Sequence, residues 1–200
     1  MGSEFLVYLR LGFDHIADLG AYDHILFIVA LSAGYGVADW KQLLVLVTAF
    51  TVGHSVTLAL ATLRFITISS ALVDILIPLT ILVTACYNAV EARGSRNVSG
   101  PGRRSHQIKY ALALGFGLIH GLGFSTFLRA VLGEEESIAL PLFSFNVGLE
   151  VGQIGILSVV LLSTFVVIHW VRVKRTSWVF MLSGVTGVAA LALLAGRVAG

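Results

Sequence analysis

Residues 40–63 read WKQLLVLVTAFTVGHSVTLALATL, and beyond Lys41 their only ionisable side chain is His54. A helix needs about 20 mainly apolar residues to cross a bilayer, and this stretch supplies them. The whole chain has 200 residues, of which 57% are hydrophobic and 12% are charged. Such a composition is typical of a protein solvated largely by lipid and excludes a soluble globular domain. An imidazole at membrane depth is costly unless it pairs, lines a wet cavity or binds a ligand.

The remaining apolar stretches extend this pattern to an all-α membrane protein with six transmembrane helices. The predicted spans lie near 21–37, 40–63, 69–92, 107–131, 138–171 and 177–198. Residues 6–19 are too polar to cross, and we expect them to form a short amphipathic helix at the surface. Residues 1–5 resemble a cloning remnant. Residues 6–200 are therefore expected to form a single integral membrane domain.

Basic residues between the spans predict the orientation. Two connections carry most of them: Arg93, Arg96, Arg103, Arg104 and Lys109 in one, and Arg172, Lys174 and Arg175 in the other. Loops rich in Lys and Arg stay in the cytoplasm. We therefore expect a cytoplasmic loop at 93–106 and both termini outside the cytoplasm. The expected location is a bacterial inner (cytoplasmic) membrane.

This topology assigns each buried polar residue a depth. Asp23 and His24 open the first span from the outside. At 1.5 Å per residue, His54 lies about 13 Å and His120 about 16 Å below the outer ends of their helices. Glu150 also lies in the outer half of its span. The shared depth predicts one polar cavity that opens to the outside.

Imidazoles and carboxylates are the side chains that bind divalent transition metals such as nickel and zinc. The candidate metal ligands are His15, Asp23, His24, His54, His120 and Glu150, with Ser55, Asn146 and Gln153 as supporting residues. Small residues flank two of these histidines, in Gly53-His54-Ser55 and in His120-Gly121-Leu122-Gly123. Such residues let membrane helices approach closely and leave room for a ligand. The small net charge of +2 gives no support to nucleic-acid binding.

Four motifs, with His15 upstream, extend over most of the chain. They are Tyr22-Asp23-His24-Ile25-Leu26-Phe27, the run from Thr48 to Ser55, the run from Phe116 to Phe124, and Phe145-Asn146-x3-Glu150-x2-Gln153. Together they resemble the HupE/UreJ family of hydrogenase and urease accessory membrane proteins. The resemblance implies a secondary permease for nickel or a related divalent metal, with the His and Asp residues on the transport path. The family's nickel permeases typically carry His-x5-Asp-His, whereas seven residues separate His15 from Asp23 here, so the chain resembles a divergent branch.

Three functions remain open at this point. The first is a permease for a divalent transition-metal ion. The second is an intramembrane metal-dependent hydrolase acting on lipid or peptide, in which Glu150 or Asp23 is the general base and Ser55 or Asn146 stabilises an oxyanion. The third is a metal-binding accessory subunit that neither transports nor catalyses. The cytoplasmic halves of the spans look wholly apolar, which weakens the first function, since transporters usually have polar residues on both routes. The sequence leaves open the identity of the metal and assembly into an oligomer.

Overall fold

The structure is a computed structural model that describes residues 2–20, 22–94, 101–132 and 137–199. These residues form seven α-helices and no strand, which confirms the all-helical expectation for the part of the chain described. The helices are α1 (Gly2–Ala17), α2 (Asp23–Ser32), α3 (Trp40–Thr62), α4 (Ser70–Gly94), α5 (Arg103–Leu132), α6 (Ala139–His169) and α7 (Arg175–Ala199). A short 3-10 helix, Val37–Asp39, leads into α3.

Five helices, α3 to α7, are long and apolar enough to cross a membrane. Their bounds agree with the last five predicted spans to within a few residues, apart from an earlier start of α5. The chain is therefore an integral membrane protein. The 31 residues of α6 extend over about 46 Å, more than the roughly 30 Å of a hydrocarbon core, so we expect α6 to tilt.

The first predicted span, 21–37, is shorter in the structure than expected. Helix α2 has ten residues, or about 15 Å, which is half of a hydrocarbon core. It ends at Ser32, whose carbonyl oxygen accepts a hydrogen bond from the Tyr35 amide at 2.9 Å. Gly36 is extended, with φ −121° and ψ 179°. The apolar sequence continues through this turn, but the helix ends before it. The prediction of a full span at 21–37 is therefore corrected to a helix of half that length.

The predicted surface helix is also corrected, because α1 packs lengthwise against α6 and buries Tyr8 and Ile16. Glycines on both helices allow this close approach, since they have no Cβ atom between the two backbones. The contacts run in the same order along α1 and α6: Leu9 with Gly148, Gly12 with Leu149, and Ile16 with Gly152. Helix α1 therefore runs parallel to α6. Helix α1 ends at Ala17 and α2 begins at Asp23, so the two are successive short helices.

A second pair of parallel helices, α3 and α5, meets in the same way. A Cβ atom on Gly53 would collide with the Leu114 carbonyl oxygen, and one on Gly121 would collide with the His54 carbonyl oxygen. The close approach predicted at these two glycines is confirmed. It places His54 of α3 beside the turn of α5 that carries His120.

The bundle has one end rich in basic residues, which we call the basic end; it lies where α4 and α6 stop and α5 and α7 begin. Two ion pairs link its helices: Lys109 with Glu91 at 3.1 Å and Arg175 with Asp39 at 3.4 Å. We call the opposite end of the bundle the distal end. Of the predicted cytoplasmic loop 93–106, residues 95–100 lie outside the described residues.

Candidate functional site

Four histidines from four helices meet where the chain breaks between α1 and α2. We call His15, His24, His54 and His120 the histidine cluster. The ring centroid of His15 lies 4.6 Å from that of His24 and 6.0 Å from that of His54. The ring centroid of His24 lies 5.1 Å from that of His120 and 6.4 Å from that of His54. The structure thus brings all four predicted histidine ligands together in the interior of the bundle.

Aromatic rings enclose the histidine cluster. Phe50 lies 5.1 Å from His120 and Phe27 lies 5.5 Å from it, measured between ring centroids. On the other side, the ring of Phe145 is stacked near that of His54 at 6.3 Å. His54 itself is fully buried. The imidazoles are therefore held in an apolar environment in which their electrostatic and coordinate interactions are strong.

Most ring nitrogens of the cluster have no hydrogen-bond partner among the described residues. The unpartnered buried atoms are His15 Nε2, His24 Nδ1, His24 Nε2, His54 Nδ1, His54 Nε2 and His120 Nδ1. Each unsatisfied buried polar group costs about 1–3 kcal/mol, and native proteins contain few of them. Six such atoms within one cluster of histidines are more than helix packing explains, and they make the cluster a candidate ligand site.

Thr80 of α4 orients the imidazole of His120. The Thr80 hydroxyl donates its proton to the Ile77 carbonyl oxygen at 2.7 Å, and Thr80 Oγ1 lies 3.2 Å from His120 Nε2. Because a hydroxyl has one proton, Oγ1 must accept the hydrogen bond from Nε2–H. His120 Nδ1 then carries the free lone pair. This is the arrangement in which a metal-binding histidine is held by its second nitrogen.

Asp23 lies beside His24. Its Oδ1 atom lies 3.0 Å from His24 Nδ1, outside hydrogen-bond geometry, and accepts a hydrogen bond from the His24 amide at 2.8 Å. Both ring nitrogens of His24 are thus buried without a hydrogen-bond partner among the described residues. A carboxylate behind a histidine raises the basicity of that ligand. Asp23 therefore joins the histidine cluster through His24.

The chain matches the family model described as HupE / UreJ protein over residues 1–196. The chain belongs to the HupE/UreJ family. The family implies an accessory or permease role connected with nickel or another metal. No curated protein and no solved structure matches the chain.

The donor atoms of this HupE/UreJ protein suit a transition metal in type. A metal–nitrogen bond of about 2.0–2.1 Å places the centroids of two imidazoles on a tetrahedral ion about 5 Å apart. The ring centroids of four histidine pairs in the cluster lie 4.6–6.4 Å apart, on either side of this value. Among the described residues, however, no group of three or more His, Cys, Asp or Glu side chains is placed so that it could hold a metal ion.

Glu150 and Asn146 are not brought to the histidines. Glu150 Oε1 accepts a hydrogen bond from the Thr48 hydroxyl at 2.6 Å, and this contact is exposed. The structure gives Glu150 no hydrogen bond or ion pair with a histidine in the part of the chain it describes. The Asn146 side-chain oxygen is buried without a partner. Of the motif on α6, Phe145 packs against the histidine cluster, whereas the Glu150 carboxylate does not reach it.

Ser55 and Gln153 both interact with Thr51. The Ser55 hydroxyl donates to the Thr51 carbonyl oxygen at 2.6 Å, as serines in membrane helices commonly do. Gln153 Oε1 accepts from the Thr51 hydroxyl at 2.9 Å, and Gln153 Nε2 is buried without a partner. The bond between Thr51 and Gln153 links α3 to α6, whereas the Ser55 bond lies within α3.

A cleft at the distal end leads toward Asp23. It is lined by Asp23, Asp74, Ile77, Pro78, Leu193 and Arg197. Asp74 forms a loose ion pair with Arg197 at 3.8 Å, and both side chains are about half exposed. Asp23, which lies beside His24, thus lines a cleft on the surface of the bundle.

Sequence reasoning missed the role of Thr80. The signal was present, because Thr80, Thr84 and Asn88 recur every four residues within an otherwise apolar span. Residues four apart share one face of a helix. The structure buries all three of these side chains.

Proposed function

We propose that this HupE/UreJ protein is a permease that binds a divalent transition-metal ion at the histidine cluster and moves it across the membrane. The observation that carries the proposal is the set of buried imidazole nitrogens without partners, drawn from four helices. His15, His24, His54 and His120 would be the ligands, with Asp23 and Thr80 orienting two of them. Nickel is the ion that the family favours, and the ion is the substrate of the protein.

The position of the cluster supports transport over static binding. It lies at the break between α1 and α2, and beside α4, a continuous helix that contains Pro78. Proline removes one backbone hydrogen bond and loosens a helix at that level. Interrupted helices at membrane depth commonly form the substrate sites of transporters. We further propose that the basic end faces the cytoplasm, in keeping with the positive-inside rule, so that the distal cleft admits the ion.

The same geometry gives less support to a hydrolase. Two of the residues considered as general base or oxyanion donor are engaged elsewhere: Glu150 accepts from Thr48 and Ser55 donates to Thr51. Asp23 is held against His24. A base needs to lie within hydrogen-bond reach of the water it activates. Metal binding and release is therefore the function that these residues suit best.

Metal binding is tested on the purified protein equilibrated with Ni²⁺, followed by removal of free ion and measurement of bound nickel. We expect retention by the parent chain and its loss in His54→Ala and His120→Ala. His169→Ala is the matched control, since His169 is exposed and its one hydrogen bond among the described residues is to the Phe165 carbonyl of its own helix. The proposal would be contradicted if the parent chain retained no nickel, or if all four proteins retained the same amount.

Transport is tested in proteoliposomes that contain a nickel-sensitive dye. We expect Ni²⁺ influx with the parent chain and with His169→Ala, and none with His54→Ala. Binding without flux would refute the permease and leave an accessory subunit.

A further inference from the structure

A polar face of α4 continues from the histidine cluster toward the basic end. Thr80, Thr84 and Asn88 are 3%, 1% and 1% exposed. They follow one another at four-residue intervals, so they share one side of the helix. Their presence corrects the expectation that the cytoplasmic halves of the spans are wholly apolar. The stretch from Thr80 to Glu91 covers about 16 Å.

One atom on this face is not explained by helix structure. The hydroxyl of Thr84 donates to the Thr80 carbonyl oxygen at 2.9 Å, which is ordinary for threonine in a membrane helix. Asn88 Nδ2 donates to the Ala30 carbonyl oxygen at 2.6 Å. Asn88 Oδ1, in contrast, is buried without a partner. An amide oxygen of this kind is a ligand that suits a passing cation.

The polar face ends at a buried ammonium group. Lys109 of α5 is 0% exposed, and its Nζ atom lies 3.1 Å from Glu91 Oε2. Nζ also lies 4.9 Å from the ring centroid of Tyr35 and 5.9 Å from that of Tyr87. The Tyr35 hydroxyl in turn contacts His106 Nδ1 at 3.1 Å. Lysine is almost never fully buried unless it is paired.

Stability does not account well for this lysine. Removing two charges from water costs about as much free energy as their attraction returns, so a buried ion pair is weak evidence for a stabilising role. The position has a clear electrostatic consequence instead. A cation that travels along α4 meets the positive charge of Lys109, while the carboxylate that could attract it is occupied.

We propose that the ion leaves the histidine cluster along Thr84 and Asn88 and that the Lys109–Glu91 pair is the gate at the basic end of this route. The gate is closed while Lys109 rests on Glu91 and opens when the two separate. This inference rests on the proposed function, because it assigns the second half of the same transport path. Lys109 acts on the route of the ion and does not bind the ion at the cluster.

The gate is tested first without any metal, by thiol labelling of a cysteine placed on the route. Thr84→Cys is introduced together with Cys86→Ser, which removes the exposed native cysteine. A membrane-impermeant thiol reagent is then applied from the side of the basic end. We expect slow labelling in this background and labelling at least several-fold faster when Lys109→Gln is added. Lys41→Gln is the control, since Lys41 is an exposed lysine at the same end and should change nothing.

The second arm measures Ni²⁺ flux in proteoliposomes. Lys109→Gln should raise the flux several-fold while the amount of nickel bound by the purified protein stays the same. Lys109→Gln alone leaves the Glu91 carboxylate without its partner, which could prevent folding. The double variant Lys109→Gln with Glu91→Gln removes both charges and avoids this problem, and it should show the same faster labelling and higher flux. Unchanged labelling in both Lys109 variants, or unchanged flux, would overturn the gate. Failure of nickel binding by the parent chain would instead overturn the proposed function, and the labelling result does not depend on it.

Discussion

Thr80→Val isolates the contribution of a residue that orients a metal ligand without touching the metal. Valine keeps the shape and branching of threonine and removes the hydroxyl. His120 Nε2–H, now 3.2 Å from Thr80 Oγ1, then loses its acceptor. The ring becomes free to take the other tautomer or to rotate, and Nδ1 is no longer held as the free donor.

The size of the effect follows from what differs between the metal-free and metal-bound states. The hydrogen bond to Thr80 exists in both states, so its own free energy cancels from the affinity. What remains is the fixed tautomer and orientation, which outer-shell partners provide at a value of about 10–100-fold in metal affinity. This corresponds to about 1.4–2.8 kcal/mol. The free energy of the hydrogen bond itself appears instead in the stability of the metal-free protein, which should fall by about 1–3 kcal/mol for an unsatisfied buried group.

Isothermal titration of the purified protein with Ni²⁺ measures the affinity, and thermal unfolding in the same detergent measures the stability. Thr186→Val is the matched control. Thr186 is fully buried in α7, and its hydroxyl donates to the Leu182 carbonyl oxygen at 2.8 Å within its own helix. We expect weaker nickel binding for Thr80→Val alone. Equal affinity in both valine variants would refute the assignment of His120 Nδ1 as a ligand atom.

Three further predictions test the packing and the support of the cluster. Gly53→Ala forces its Cβ atom into the backbone of α5 and should destabilise the protein by about 1–3 kcal/mol, whereas Gly155→Ala, with open space around it, should not lower the unfolding temperature. Asp23→Asn should weaken nickel binding by about 10–100-fold in titration. Thr164→Val removes the acceptor of the Trp178 indole N–H, which lies at 3.0 Å, and should cost about 1–3 kcal/mol in chemical unfolding.

The histidine cluster was the part of the site that the sequence predicted well. A histidine inside an apolar span is expected to face the interior of the bundle, because its exposure to lipid is costly. Once the spans alternate in direction, the depth of each residue follows from its distance to a helix end. His54 and His120 are therefore predicted at one level, and the close contact of α3 and α5 at Gly121 brings them together.

The orientation of α6 was not predictable in this way. Apolar residues are spread around this helix, so its hydropathy pattern does not indicate which face points inward. The spacing of Asn146 and Glu150 predicts that they share a face, but not whether that face meets the histidines. The structure directs Glu150 to Thr48 and gives the inward position to Phe145.

The break before α2 and the burial of Lys109 depend on tertiary contacts. The first predicted span was continuous in hydropathy, although Gly34 and Gly36 follow its helix. Lys109 was assigned to a basic loop, because its partner Glu91 lies in the preceding helix and only the packing of α4 against α5 reveals the pair. Local sequence patterns carry no information on such pairings.

X-ray absorption spectroscopy of the nickel-loaded protein shows whether the ion binds to imidazole nitrogens of the histidine cluster, since it reports the type and distance of the coordinating atoms. We expect nitrogen neighbours at about 2.0–2.1 Å with the outer-shell scattering of several imidazoles, reduced in His54→Ala and unchanged in His169→Ala. A spectrum with oxygen neighbours alone, or one that His54→Ala leaves unaltered, would contradict binding at the cluster.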